Sequence, residues 1–436
     1  MVKRKPSIAT IDGAQSAKRS RLHFESGGSP PMTVTIRGKV FEPAPAFDTF
    51  WRFAAERQII DERRRSGQPA PWTKDPTLQS HKFCNTFRIL DRGCQFLVTE
   101  VIETGPQTLE EVTFRVLLFS LYTNPKTYET LRKRIHPLTW KGYKRANYEK
   151  VLRQLYNGKG PIYTGAYQKP APDLGFAEAF MNHLAFMEVL MQELPDRLNK
   201  AAYMADVFEW LRTFKSMGDF TAYQLLLNLS YSNVMNFSDH DFVVITIGSR
   251  RGLQRCFDGN VPRSAEVDLV RWMQLSQSDH FARLGLTFNG LGPERRPMML
   301  CDIEHTLCEL DKYIRKCNNP PSKTHVFRGT GELGEICMPK AWCHEDRRIL
   351  RIKNRVEAET EALERFVVES IVDHRLVDGV QEFLVFWEGY GEDEVTWEPE
   401  ESLMEDVPNM VKAYLKSVKV SAFCAIKWWP MNRTIG

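Results

Sequence analysis

The constraint that most limits how this chain folds is a change of hydrophobic period late in its length. From Phe47 to about Leu310 the apolar residues recur at helical spacing. In FDTFWRFAAERQIIDERRR, Phe47, Phe50, Trp51, Ala54 and Ala55 make one stripe with charges opposite. Glu110–Leu121, Phe176–Leu194 and Ala201–Phe214 repeat the pattern. Pro69, Pro71 and Pro76 mark a loop after the first helix, and Cys317–Lys340 reads as a second loop. Residues 339–364 are highly charged and predict a helical connector. Then the period shortens. Phe366–Asp373, Glu382–Trp387 and Val395–Glu398 read as strands, with Asp378-Gly379 as a hairpin turn that needs positive φ. Pro408 opens a helix whose Val411, Tyr414 and Leu415 share a face. The expected fold is multidomain: a mainly α-helical body, then a small α+β module of a three-stranded antiparallel sheet with a C-terminal helix.

Charge is segregated in the same way. The formal total of +4 divides into +5 over residues 1–45, +7 over 46–360, −11 over 361–417 and +3 over the last nineteen residues. A basic body beside a strongly acidic module predicts partners of opposite sign. No apolar run approaches the roughly 18 residues that span a bilayer, so no membrane partner is expected. The start is basic with no apolar segment behind it, so no secretory signal is expected. The nine cysteines include no CxxC pair, which favours a reducing compartment over secretion. Residues 1–45 are rich in Ser, Gly, Pro and basic residues and predict a disordered tail. Within it, Lys3, Arg4 and Lys5, then Lys18, Arg19 and Arg21, resemble a bipartite nuclear localisation signal. That resemblance implies a nuclear import carrier as partner and the nucleus as destination.

The acidic module carries ERFVVESIVDHRLVDGVQEFLVFWEGYGEDEVTWEPEESL over residues 364–403, and this run resembles a chromodomain. The resemblance implies a module over 364–417 that adds a histone tail to its sheet as a strand and holds a methylated lysine in an aromatic cage. By motif position the cage is Phe366, Trp387 and Tyr390, with Glu394 as the acidic neighbour. The residue types suit that chemistry. A methylated ammonium keeps its charge but loses hydration, and each aromatic face attracts it by roughly 0.5–2 kcal/mol. Phe366 stands where Tyr is commoner, and Val395 and Ser402 stand where Asn is frequent. Resemblance to heterochromatin proteins points to histone H3 methylated at lysine nine. Trp397 alternates with the cage side and is expected in the core.

The helical body, set at residues 46–345 with a connector over 346–363 and a tail over 418–436, carries three further signatures. They are FWRFAAERQIIDERRRSGQPAPWTKDPTLQSHKFCNTFRILDR, MGDFTAYQ and CDIEHTLCELDKY. Together they resemble the helical domain of 5-hydroxymethyluracil DNA kinases, related to thymine-hypermodification proteins. No GxxxxGK[ST] loop occurs, so the kinase activity itself is not expected and no cofactor is implied. The Pro-stiffened segment presents Trp72 and Asp75. Asn85, Arg88 and Asp91 follow at spacings of three, which on a helix is one face. That set either grips a base or phosphate or ties the loop down as a buried network. Gly218 in MGDFTAYQ looks like the second half of a helix-hairpin-helix, where backbone amides meet a DNA phosphate. In DNA glycosylases of that type a catalytic Asp follows a little over twenty residues on, which makes Asp239 and Asp241 candidates. Trp72 and Tyr223 are candidates to stack a flipped base. Arg250 and Arg251, beside Gly248 and Gly252, are candidate phosphate contacts in a glycine turn. The cysteines and histidine between Cys301 and His344 lack knuckle spacing, so no metal is expected there.

Two functions remain. One is a chromatin-bound protein that tethers a DNA- or partner-binding body to a methylated histone tail. The other is a DNA base-modifying or base-removing enzyme targeted by the same module.

Overall fold

The computed structural model describes residues 29–164, 170–259, 261–318, 333–355, 368–377, 380–387, 395–400, 403–404 and 407–426. The chain divides into two units, residues 1–356 and 357–436, each described by itself.

The first unit begins earlier than composition suggests. Residues 29–45, expected to belong to a disordered tail, contain a hairpin of β1 (Val34–Ile36) and β2 (Lys39–Phe41). Arg37 and Gly38 at its turn have φ of 50° and 78°, the pair of positive angles a two-residue hairpin needs. Phe41 is buried edge-on to Phe257, and Arg37 reaches Asp268 at 2.9 Å. The Ser, Gly and Pro on either side hide this short apolar alternation. The basic clusters from Lys3 to Arg21 lie outside the described residues.

Helix α1 (Pro45–Arg65) buries the expected stripe and more, including Phe53, Arg57, Gln58 and Asp61. The order continues through α2 (Pro76–Ser80), α3 (Arg92–Phe96), α4 (Leu109–Tyr122), α5 (Pro125–Arg134), α6 (Arg145–Asn157), α7 (Ala179–Lys200), α8 (Met204–Arg212) and α9 (Asp219–Leu229). Then come α10 (Ile247–Cys256), α11 (Arg263–Leu275), α12 (Gln277–Arg283) and α13 (Leu300–Asn318). Leu97–Ile102 is a π-helical turn that extends α3. The stripes read as Glu110–Leu121, Phe176–Leu194 and Ala201–Phe214 are α4, α7 and α8. None of the described helices is long and apolar enough to cross a membrane.

Helix α13 is the centre of the body. Its Asp302, Glu304, His305, Glu309 and Asp311 are all buried, so each must find a partner in the protein. Asp302 accepts from the backbone of Arg88 and Met299, and Glu304 from the hydroxyls of Thr246 and Ser249. Glu309 accepts from the Cys84 amide, and Asp311 from Arg255 and Arg315. Burial holds the Asp302 and Glu304 carboxyls above their ordinary range.

The segment IGSRRGLQRC, read as a glycine turn, is helix α10 instead. Its glycines are there for contact. A Cβ at Gly252 would lie 2.0 Å from the Leu307 carbonyl oxygen, and one at Gly248 2.5 Å from Cys308 Sγ. Both lie on the face pressed against α13.

The connector also differs from expectation. Glu345–Arg348 is a 3-10 turn and residues 349–355 run without helix across the body. Arg351 donates its backbone N–H to Asp241, Lys353 pairs with Asp206, and Arg355 with Asp219. Ties of that kind to the body favour an extended strap over a helix. The rest of the connector lies outside the described residues.

In the second unit β3 (Val368–Val377), β4 (Val380–Trp387) and β5 (Thr396–Pro399) form an antiparallel sheet in that order. Helix α14 (Pro408–Ile426) runs past residue 417, where the tail was expected to begin. The core is Val368, Ile371, Phe383, Val385, Leu403 and Val411, with Tyr414 and Leu415 packed on it. Trp397, expected in this core, is half-buried under the Arg375 guanidinium, 4.2 Å from its ring centre.

Because α10 meets α13 at backbone distance, Gly252→Ala is expected to destabilise the body by about 3 kcal/mol. Gly93→Ala, at an exposed helical site with nothing near its Cβ position, should leave it unchanged or slightly stabilised. Urea denaturation of the two variants checks this. Equal midpoints would contradict the close contact.

Candidate functional site

In the second unit Trp387, expected in the cage, is the last residue of β4 and packs against the core of the module. Its indole Nε1–H donates to Thr396 Oγ1 at 2.8 Å, and that hydroxyl donates to Glu398 at 2.6 Å. This chain fixes the ring's orientation at the end of the sheet while leaving it half-buried. The other expected cage residues, Phe366, Tyr390 and Glu394, lie outside the described residues, as do Ser402 and the Asp378-Gly379 turn.

In the body, the three residues expected on one helix face part company. Only Arg88–Leu90 is helical there, a single 3-10 turn, so the spacing of three does not align them. Arg88 is buried and donates to Tyr231, Gln224 and Asn228 at 2.8–2.9 Å. Its charge is held by neutral oxygens and by the Tyr231 ring face, 5.5 Å away. Asn85 and Asp91 turn the other way and meet: the Asn85 amide donates to Asp91 Oδ1 at 3.0 Å. His305 from α13 donates to the Asn85 carbonyl, and Arg57 to its side-chain oxygen, both at 2.6 Å. Burial raises the Asp91 carboxyl, opposed by the charge on His305 and the Asn85 bond. Burial likewise lowers Arg57, opposed by the charges of Asp61 and Asp91.

Other candidates are structural in their contacts. Asp75 caps α2 through Leu78 N at 2.8 Å and accepts from Tyr313. Trp72 is stapled locally, with its indole N–H on Gln68 O and Arg64 over its ring. Tyr223 is fully buried, so it cannot face a flipped base as the fold stands. Gly218 does join two helices, α8 and α9. The end of α9 where a phosphate would sit is occupied by Asp219, clamped by Arg212 and Arg355. Asp239 is paired with Arg296. Asp241 is buried, accepting from Ser238 N and Arg351 N at 3.0 and 2.9 Å, and burial raises its carboxyl. Arg250 forms a two-bond pair with Glu266, and Arg251 beside it is half-buried on the same helix.

Two features are not apparent from the motifs. Residues 126–159 hold ten Lys and Arg against two Glu. Arg132, Arg145 and Arg153 are paired with acids, but Lys126, Lys133, Lys141, Lys144, Lys150 and Lys159 are exposed along α5, α6 and their connection. A charge count in shorter windows would find this strip. The second is a cavity of about 670 Å³ whose lining includes Gln107, Asn199, Asn233, Asn236, Arg351 and Tyr231. Arg88 bonds Tyr231 in its wall, and no candidate residue from the sequence is among the lining residues.

The fold defines a class: a mainly helical body followed by a small module of a three-stranded antiparallel sheet and a C-terminal helix. The profile described as 5-hmdU DNA kinase, helical domain, matches residues 44–323, and the chain belongs to that family. The profile of the chromo (chromatin organisation modifier) domain matches residues 366–417, so the second unit is a chromodomain. The chromo domain-containing protein cec-3 of Caenorhabditis elegans is 47% identical over 58 residues, 13% of this chain and 17% of that protein. Heterochromatin protein 1 of Drosophila melanogaster is 38% identical over 65 residues, 15% of this chain and 31% of that protein. The chain thus spans under a third of either relative. No solved structure matches it.

Asp241 accepts two backbone N–H groups, and an amide in its place can accept through one oxygen only. Asp241→Asn is therefore expected to cost about 1–2 kcal/mol and to speed tryptic cleavage after Arg351 and Lys353. Unchanged cleavage would mean the strap is held by its other ties.

Proposed function

We propose that this protein is a nuclear chromatin-associated reader. Its chromodomain binds a methylated-lysine histone tail, with histone H3 methylated at lysine nine as the first ligand to test. The basic helical body is tethered to chromatin by that contact and binds DNA. The observation that carries the reading is the oriented Trp387 indole in a matched chromodomain, within a segment of net charge −11. The likeness to heterochromatin protein 1 supports the choice of mark. Phe366 and Tyr390 complete the cage by motif position, with Glu394 beside it. A tail laid along a sheet edge gains backbone pairing, and the acidic module raises the encounter rate of a basic peptide. Lys3, Arg4, Lys5, Lys18, Arg19 and Arg21 supply the import signal.

The exposed lysines of residues 126–159 support DNA as the body's partner, since phosphate neutralisation is the main source of sequence-independent affinity. The family's description, the helical domain of a DNA kinase for a modified thymine, points the same way.

A second reading, chemistry on a DNA base, is favoured by the cavity, which is large enough for an extruded nucleoside and is lined by amide side chains. Asp239 and Asp241 do not line it.

Trp387→Ala is expected to weaken binding of a trimethyllysine histone H3 peptide at least tenfold in calorimetric titration, with Trp387→Phe recovering part of it. Undiminished affinity in the alanine variant would exclude the cage. The full chain is expected to bind duplex DNA with an affinity that falls steeply with salt. Lys133→Glu, Lys141→Glu and Lys144→Glu together should flatten the log–log slope by roughly 0.9 for each phosphate no longer neutralised. A slope unchanged by the triple variant would move the DNA surface elsewhere.

A further inference from the structure

Cys84, Asp91 and His305 come from two distant parts of the sequence, yet their ligand-type atoms all lie within 4.8 Å of one another. The loop that carries Cys84 and Asp91 is held against α13, which carries His305. We propose that these three side chains form a divalent-metal site of the zinc class, with a fourth position left for water or a substrate atom.

The orientation of each group fits. His305 Nε2 stands 2.6 Å from the Asn85 carbonyl oxygen, which can only accept. Nε2 therefore carries a proton, which makes Nδ1 the ring nitrogen that would ligate an ion. A ligating histidine is commonly fixed in this way by its other nitrogen. Asp91 takes the Asn85 amide on Oδ1, so Oδ2 remains for the ion. Asn85 thus sets two ligands with its own backbone, and Arg57 pins its side chain. Glu309 Oε2 accepts the Cys84 amide at 2.9 Å and fixes the third ligand's backbone. The arrangement is a supported one, with hydrogen bonds behind all three ligands.

The donor set selects the ion. A thiolate, a carboxylate and a neutral imidazole carry two negative charges and mix soft, hard and borderline atoms, which suits Zn²⁺ better than Mg²⁺ or Ca²⁺. The Arg57 guanidinium nearby opposes a cation, but Asp61 and Glu309 lie close enough to offset it. Bonds of 2.0–2.3 Å would bring the ligand atoms to roughly 3.3–3.8 Å from one another, so the widest spacing closes by about 1 Å through side-chain rotation. Cys84 and Asp91 are half-buried and His305 is buried, so an ion enters from solvent and meets a fixed imidazole. Three protein ligands with one open position is the pattern of zinc sites that do chemistry; closed sites hold four. The expectation of no metal rests on the cysteines between Cys301 and Cys343, and none of them takes part.

The test uses the full chain, stripped with a chelator and titrated with Co²⁺ as the spectroscopic probe. One equivalent should give the visible bands of a tetrahedral ion and a thiolate-to-cobalt charge-transfer absorption, both bleached by Zn²⁺. Cys84→Ser should abolish the charge-transfer band. Asp91→Asn and His305→Gln should weaken binding at least tenfold, and Cys343→Ser should change nothing. Circular dichroism accompanies each variant, and the two ligand changes other than Cys84→Ser decide the matter if that variant misfolds. Absence of saturable binding, or a charge-transfer band that survives Cys84→Ser, would overturn the site.

Discussion

The body depends on one constraint: α13 is buried with its acids still on it. A carboxylate out of water is tolerated only where donors surround it. Asp302, Glu304, Glu309 and Asp311 find theirs on segments remote in sequence, from Cys84 and Arg88 to Thr246, Ser249 and Arg255. Each bond is at once the cure for a buried charge and a tie that fixes another part of the chain. Gly248 and Gly252 belong to the same solution. They let α10 approach until Thr246 and Ser249, at its start, reach Glu304.

That constraint also shapes the loop proposed to hold a metal ion. The loop from Phe83 to Asp91 has little regular structure of its own. It is shaped by Glu309, His305 and Asp302 on one side and by Arg57 on the other. Asn85 and Asp91 are thereby turned towards His305, while Arg88 is drawn into the opposite network with Gln224, Asn228 and Tyr231. A loop held from both sides is a suitable support for a site that must keep its geometry. The chromodomain uses a smaller version of the same device, the hydroxyl of Thr396 orienting Trp387.

Much of this is legible in the sequence. Helical period finds α1, α4, α7 and α8, and strand period with a proline-started helix finds the chromodomain, because burial of one face writes its period into the residues. The exceptions have physical reasons. The hairpin at Val34–Phe41 is too short to outweigh the composition around it. IGSRRGLQRC reads as a turn because glycine usually breaks helices, whereas here it admits a neighbouring backbone. Asn85, Arg88 and Asp91 stand out as a group, but their arrangement is set by α13 and not by local spacing. Cys84 beside His305 is a product of tertiary packing and leaves no local motif. Among the expected cage residues only Trp387 falls within the described residues.

On the proposed function, one chain holds chromatin through two opposite charges, an acidic reader on the tail and a basic body on DNA. The most direct measurement compares the full chain's affinity for nucleosomes carrying the methylated mark with its affinity for the isolated methylated tail, over a range of salt. Binding to the nucleosome is expected to be tighter and to depend much more steeply on salt, converging on the peptide's affinity at high salt. Equal affinities with parallel salt dependence would contradict it, since the body would then contribute nothing.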